Sequence, residues 1–124
     1  MKYMASSVQE AASEFGIGGL RRHIFLCRGP RCSDFAHAEA VWKYLKNRLK
    51  ELGLATGDTW VCRTKADCFR VCRDGPIALV YPEGTWYHQV DEAKMERIIQ
   101  SHLVGGKPLS EEAFATNPLK ESKV

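Results

Sequence analysis

Cysteine is the residue type in this chain whose spacing speaks most directly of chemistry. Four of the five cysteines form two short pairs, Cys27-x4-Cys32 and Cys68-x3-Cys72. A short spacer lets both sulfurs of a pair reach one point, so the pairs offer four soft thiolates to a single metal centre. The stretch between them is too long for a minimal zinc ribbon and long enough for a helix and a strand. A folded scaffold must therefore bring two loops together. Such a quartet suits a 2Fe–2S cluster with two thiolates on each iron, and so a one-electron carrier rather than an enzyme. The fifth cysteine, Cys62, falls inside a predicted strand and is expected to pack as a small hydrophobe. Its alternatives are a ligand swap with Cys68, or a redox-sensitive thiol beside the cluster.

The elements that must position these sulfurs follow from periodicity and breakers. His23-Ile24-Phe25-Leu26 is an apolar run ending at Cys27 and cut off by Gly29-Pro30, which reads as a buried strand. Ala38, Val41, Trp42, Leu45, Leu49 and Leu52 lie on one face of a helix, with Ser33 or Asp34 to cap it and Gly53 to end it. Trp42 on that face is expected to be core rather than a cofactor platform. Thr59–Cys62 reads as a second strand, leading through Arg63-Thr64-Lys65 into the second cysteine loop. Ile77–Tyr81 is nearly all apolar, as for a strand covered on both faces. Pro82-Glu83-Gly84 then turns into Thr85–Val90, a hairpin. Asp91 caps a closing helix carrying Met95, Ile98, Ile99 and Leu103, stopped by Gly105-Gly106 and Pro108.

The order predicts an α/β domain: a βαβ unit, then a β-hairpin and a closing helix, on a mixed four-stranded sheet. A right-handed crossover places the first helix on one face, while the side taken by the second stays open. The expected boundaries are an N-terminal extension over residues 1–20, a domain over 21–108 and a C-terminal tail over 109–124 that hugs the surface or stays loose.

With 124 residues, 44% hydrophobic and 27% charged, the chain has the makings of one ordinary globular domain. No apolar run suits a membrane span, and the first residues lack the apolar core of a secretory signal. Five cysteines without an export signal favour metal or redox chemistry in a reducing cytoplasm over a disulfide framework. A net charge of +3 with no basic run or aromatic RNA motif gives no reason to expect nucleic acid. There is no P-loop, no strand-borne G-x-G-x-x-G, no nucleophile–base set and no two-residue dithiol spacing.

The chain resembles the thioredoxin-like 2Fe–2S ferredoxins, relatives of the small thioredoxin-like cluster subunit of respiratory complex I. The resemblance rests on His23–Cys27, Arg63-Thr64 ahead of Cys68-Phe69-Arg70-Val71-Cys72, Asp74-Gly75-Pro76-Ile77, Tyr81–Tyr87 and Ile98–Leu103. It covers roughly residues 22–108. It implies a thioredoxin-like fold, Cys27, Cys32, Cys68 and Cys72 as ligands of a 2Fe–2S cluster, and a tendency to form homodimers. The first cysteine spacer is shorter here than is usual in that family, and Lys65-Ala66-Asp67 stands where a single glycine is common.

Arg28, Arg31, Arg63, Lys65, Arg70 and Arg73 surround the two loops, against Asp34, Asp67 and Asp74. Such a cluster carries about 2– when oxidised and about 3– when reduced. Cations within roughly 8–10 Å favour the reduced form and would steer a redox partner with an acidic docking surface. His23, His37, His88 and His102 are scattered without the spacing of a histidine-ligated cluster, and a surface or strand-edge place is expected for them. Trp86-Tyr87 is expected at a hairpin edge, in a dimer contact or in plain packing. Two further readings of the cysteines are an iron–sulfur sensor or accessory subunit of a redox complex, and a structural four-cysteine zinc site.

Overall fold

A computed structural model of the protein describes residues 7–29, 34–55, 61–71 and 73–119. The elements, in chain order, are α1 (Val8–Phe15), β1 (Arg22–Cys27), α2 (Phe35–Glu51), β2 (Val61–Ala66), β3 (Ala78–Tyr81), β4 (Thr85–Tyr87), α3 (Glu92–Arg97) and β5 (Ala113–Thr116). Beyond Arg97 the helix widens into a π-helical stretch, Ile98–Val104, which ends with the Gly105 N–H donating to the Gln100 carbonyl at 3.2 Å. The sheet order is β2-β1-β3-β4-β5; β1 and β2 are parallel and the remaining pairs antiparallel.

The side-chain alternation of β1 divides the molecule. Ile24 and Leu26 point to one face, where Val80 and Ala78 lie opposite them in register. There they join Val41, Trp42, Leu45 and Leu49 of α2, and Met95, Ile98, Ile99 and Leu103 of the closing helix, in one core. Both helices therefore cover the same face, a point the sequence left open. Asp34 caps α2 by accepting the His37 N–H at 3.2 Å, and Asp91 caps α3 by accepting the Lys94 N–H at 2.8 Å. Glu96 ties the helices together, accepting from the Tyr44 hydroxyl at 2.7 Å and from the Arg48 guanidinium at 2.8 and 2.9 Å.

The other face of the sheet is covered by neither α2 nor the closing helix. His23 and Phe25 stack on it at 4.0 Å, and the His23 ring meets the Thr64 hydroxyl at 2.8 Å.

Four expectations need correction. The second strand continues to Ala66, four residues past the end expected at Cys62; the start expected at Thr59 and Trp60 lies outside the described residues. Arg63 and Lys65 hid this continuation. Both turn to the helix side and set their charged ends over the Trp42 ring at 5.6 and 5.5 Å, so a polar sequence still forms a strand.

The sheet has five strands, not four, because Ala113–Thr116 of the expected tail pairs with β4. Gly84 permits this docking. It has φ +70°, a Cβ there would strike the Asn117–Pro118 backbone, and its carbonyl accepts the Asn117 N–H at 2.7 Å.

His102 is fully buried rather than at the surface, since its place on the closing helix, four residues after Ile98, is on the core face. Trp86-Tyr87 is not at a sheet edge, because β5 covers β4; Tyr87 is fully buried, in keeping with the plain packing also expected for it.

Candidate metal centre

Two parallel strands deliver their C-terminal ends to the same edge of a sheet, and β1 and β2 use this rule to bring the cysteine loops together. Cys27 ends β1 in register with Ala66, which ends β2, and Cys68 follows two residues later. The pairing continues past the strands, with the Arg28 N–H donating to the Ala66 carbonyl at 2.8 Å. Cys27 and Cys68, one from each predicted pair, thus stand at one pole of the sheet. Their partners Cys32 and Cys72 lie outside the described residues.

The two sulfurs sit in contrasting surroundings. Cys27 is wholly buried. With Ile77 it forms a second apolar cluster, separate from the main core and covered by Phe69, Val71 and Trp86. Phe69 meets Trp86 edge to face at 5.9 Å, so the second loop folds back over the first sulfur. The Ile77 N–H donates to Cys27 Sγ at 3.3 Å, while the Cys27 N–H donates to the Ile77 carbonyl at 3.0 Å. Cys68 is exposed, and its Sγ accepts the Arg70 N–H at 3.0 Å. Arg70 adopts φ +73°, a left-handed conformation that aims its N–H back at the sulfur and costs on the order of 1 kcal/mol for a residue with a Cβ. The two described sulfurs, soft donors at one pole, are of the kind an iron–sulfur cluster takes.

Cys62 lies elsewhere. It pairs with His23, four residues before Ala66 on β2, about 13 Å up the strand from the cysteine pole. It is half-buried rather than fully so, and burial pushes its thiol above the ordinary value despite the opposing pull of Arg63 and a hydrogen bond with Thr64. A protonated thiol at this distance is poorly placed to replace Cys68.

The basic collar is divided by the sheet. Arg28 pairs with Glu39 and stacks over Phe35 at 5.2 Å, and Lys65 reaches the same carboxylate at 3.7 Å. The Arg28 hydrogen bond, against the cost of burial and with help from Lys65, holds Glu39 below the usual carboxylate range. Arg63 lies over Trp42. Arg70 and Arg73 are exposed beside the second loop, as are Asp67 and Asp74. Arg31 lies outside the described residues. Trp42 is a core residue, as its helix position predicted.

A polar chain at the opposite pole was not anticipated. Arg22 donates to Glu83 at 2.6 and 3.2 Å, and His102 Nε2 lies 2.8 Å from the same carboxylate. An ionised carboxylate only accepts, so Nε2 carries the proton. Nδ1 then accepts from the Tyr87 hydroxyl at 2.9 Å, whose oxygen accepts the Leu109 N–H at 2.9 Å. Burial works against the charge on Glu83, but the hydrogen bonds from Arg22 and His102 overcome it and hold the carboxyl at about 2. Burial lowers His102, outweighing the pull of Glu83, and raises Tyr87. The one sequence signal for this chain was a histidine on the apolar face of a helix.

A mixed sheet with both helices on one face, and cysteine loops gathered at the end of its parallel pair, defines a thioredoxin-like protein with a sulfur-rich pole. A protein of Priestia megaterium assigned as a 2Fe–2S ferredoxin is 36% identical over 101 residues, covering 82% of this chain and 76% of its own. The 2Fe–2S ferredoxin of Clostridium pasteurianum is 31% identical over 91 residues, covering 70% of this chain and 89% of its own. The solved thioredoxin-like [2Fe–2S] ferredoxin of Aquifex aeolicus superposes with a TM-score of 0.68 at 23% identity, over 81% of this chain and 96% of its own. No protein-family model matches the chain. The chain belongs to the thioredoxin-like 2Fe–2S ferredoxin family.

Proposed function

We propose that this protein carries one electron at a time on a 2Fe–2S cluster held by Cys27, Cys32, Cys68 and Cys72, and that it is not itself an enzyme. The observation that supports the reading best is the delivery of Cys27 and Cys68 to one pole by the parallel β1–β2 pair. When bound, the cluster supplies the redox couple. The chain's own groups do the rest. Cys27 holds the inner side in a dry apolar pocket, and Phe69, Val71 and Trp86 keep water from it. The Ile77 and Arg70 N–H groups stabilise negative charge on sulfur, which favours the reduced state. Exposed Cys68 gives an edge through which an electron leaves.

The working unit is residues 21–108, extended by the strand at 113–116. Its partner is a redox protein whose acidic docking surface meets Arg70 and Arg73, and its place is the cytoplasm. No helix among the described residues is long and apolar enough to cross a membrane. A homodimer, implied by the family resemblance, is a further proposal that sedimentation of the intact protein would decide.

The test is iron and sulfide analysis of protein purified without oxygen, with electron paramagnetic resonance after dithionite reduction. Two irons and two sulfides per chain and a one-electron signal are expected. A colourless protein containing zinc would overturn the reading. Rising ionic strength should slow electron transfer to an acidic partner; a rate indifferent to salt would remove the docking proposal alone.

A further inference from the structure

Beyond the last ladder bond between the cysteine loops, the first loop passes directly over the second. Gly29 is buried there, with its main chain against that of Asp67. A Cβ at residue 29 would overlap the Asp67 carbonyl oxygen and come within 3.0 Å of the carbonyl carbon. The obstacle is backbone, not the movable end of a side chain. To admit a methyl group, Asp67 would have to retreat by more than about 1 Å to ordinary carbon contact distance. Asp67 immediately precedes Cys68, and Gly29 follows Cys27 by two residues, so a displacement at the crossing passes straight to both sulfurs.

We propose that Gly29 is a positioning residue for the metal centre. Its missing side chain lets the two main chains cross in contact, and the crossing sets the separation of the cysteine loops before iron and sulfide arrive. The proposal rests on the cluster reading above and adds which residue fixes the geometry. The Arg28–Ala66 bond holds the loops laterally, the Arg28–Glu39 pair anchors the first loop to α2, and Gly29 sets how closely they approach. Two main chains in contact form a hard stop. A fixed stop preorganises ligands where a mobile loop would have to be ordered by the metal.

Two measurements test it. In Gly29→Ala, the visible absorption of whatever cluster forms should decay about tenfold faster or more under chelator, and the paramagnetic signal of the reduced protein should change shape. Gly53→Ala, at a positive-φ glycine beyond α2 with nothing within 4 Å, serves as the control for loss of a glycine. It should lower thermal stability without touching either cluster signature. A Gly29→Ala protein with wild-type cluster lifetime and spectrum overturns the proposal.

The second measurement uses the wild type and so does not depend on the variant folding. Amide exchange in the apoprotein should show the Arg28 N–H protected about a hundredfold or more, as in the loaded form. Protection seen only after loading would mean that the metal, not the crossing, joins the loops, and would likewise overturn it. A wild type without iron and sulfide would defeat the cluster reading itself, a result distinct from either of these.

Discussion

On the helix side of the sheet, Ile24, Leu26, Val80 and Tyr87 pack with two helices into one continuous core. On the other side the apolar cover is thin and gathered at one end, where Phe69, Val71 and Trp86 close over Cys27 and Ile77. The first region has the material to hold the fold together; the second keeps water from one sulfur. Because they lie on opposite faces of one sheet, changes in the first should register as stability and changes in the second as cluster chemistry. The sheet itself belongs to both, through the strand that carries Ile24 and Leu26 inward and ends at Cys27.

The largest expected effect lies on the cysteine side. Serine at Cys27, Cys32, Cys68 or Cys72 should abolish or damage the cluster, read as iron and sulfide per chain, while Cys62→Ser keeps it. Loss of iron in the Cys62 variant alone would place the ligands differently. On the helix side, Leu45→Ala should cost the apoprotein about 2–5 kcal/mol in denaturant unfolding, because Leu45 is wholly buried. Its folded fraction should keep the wild-type cluster spectrum. A changed spectrum would show that the two faces are coupled.

Acid should act on the helix side as well. Burial keeps His102 below its ordinary value, so its contribution is present above about pH 6.5 and declines as the pH falls below that. Glu83, held at about 2, contributes stability that is full above its ordinary value of 4.5 and is lost as the pH falls towards 2. With 26% of that side chain still in water, the loss is on the order of 2 kcal/mol. Denaturant melts of the apoprotein at falling pH measure it, and Glu83→Gln should flatten the lower part of the curve. A smaller effect is expected for Tyr87→Phe, which leaves His102 Nδ1 and the Leu109 N–H without the hydroxyl. It should cost about 1–3 kcal/mol in thermal unfolding and leave iron content unchanged.

Much of this division was legible in the sequence. The apolar run of β1, the single apolar stripe of α2 and the caps at Asp34 and Asp91 were local signals, and each is found in place. What escaped was set by partners distant in the chain. Lys65 and Arg63 look like a solvated connection until Trp42 receives their charged ends. Ala113–Thr116 has one bulky apolar residue and no clear alternation, so its pairing with β4 depends on a hairpin already built. His102, Tyr87, Glu83 and Arg22 belong to different elements, and no spacing links them. The spacing of the cysteine pairs announced a shared centre. That the first loop must cross the second at a glycine could not be read without the register of the strands.

The short outer strand carries a practical warning for anyone trimming this protein. Cutting the chain before Ala113 would bare the hydrogen-bonding groups of Thr85–Tyr87 and uncover the Trp86 ring, which Phe114 now meets at 6.2 Å. A naked, aromatic rim of that kind invites neighbouring molecules to add strands of their own. Minimal versions made for spectroscopy should therefore precipitate or stick together, for reasons that have nothing to do with iron.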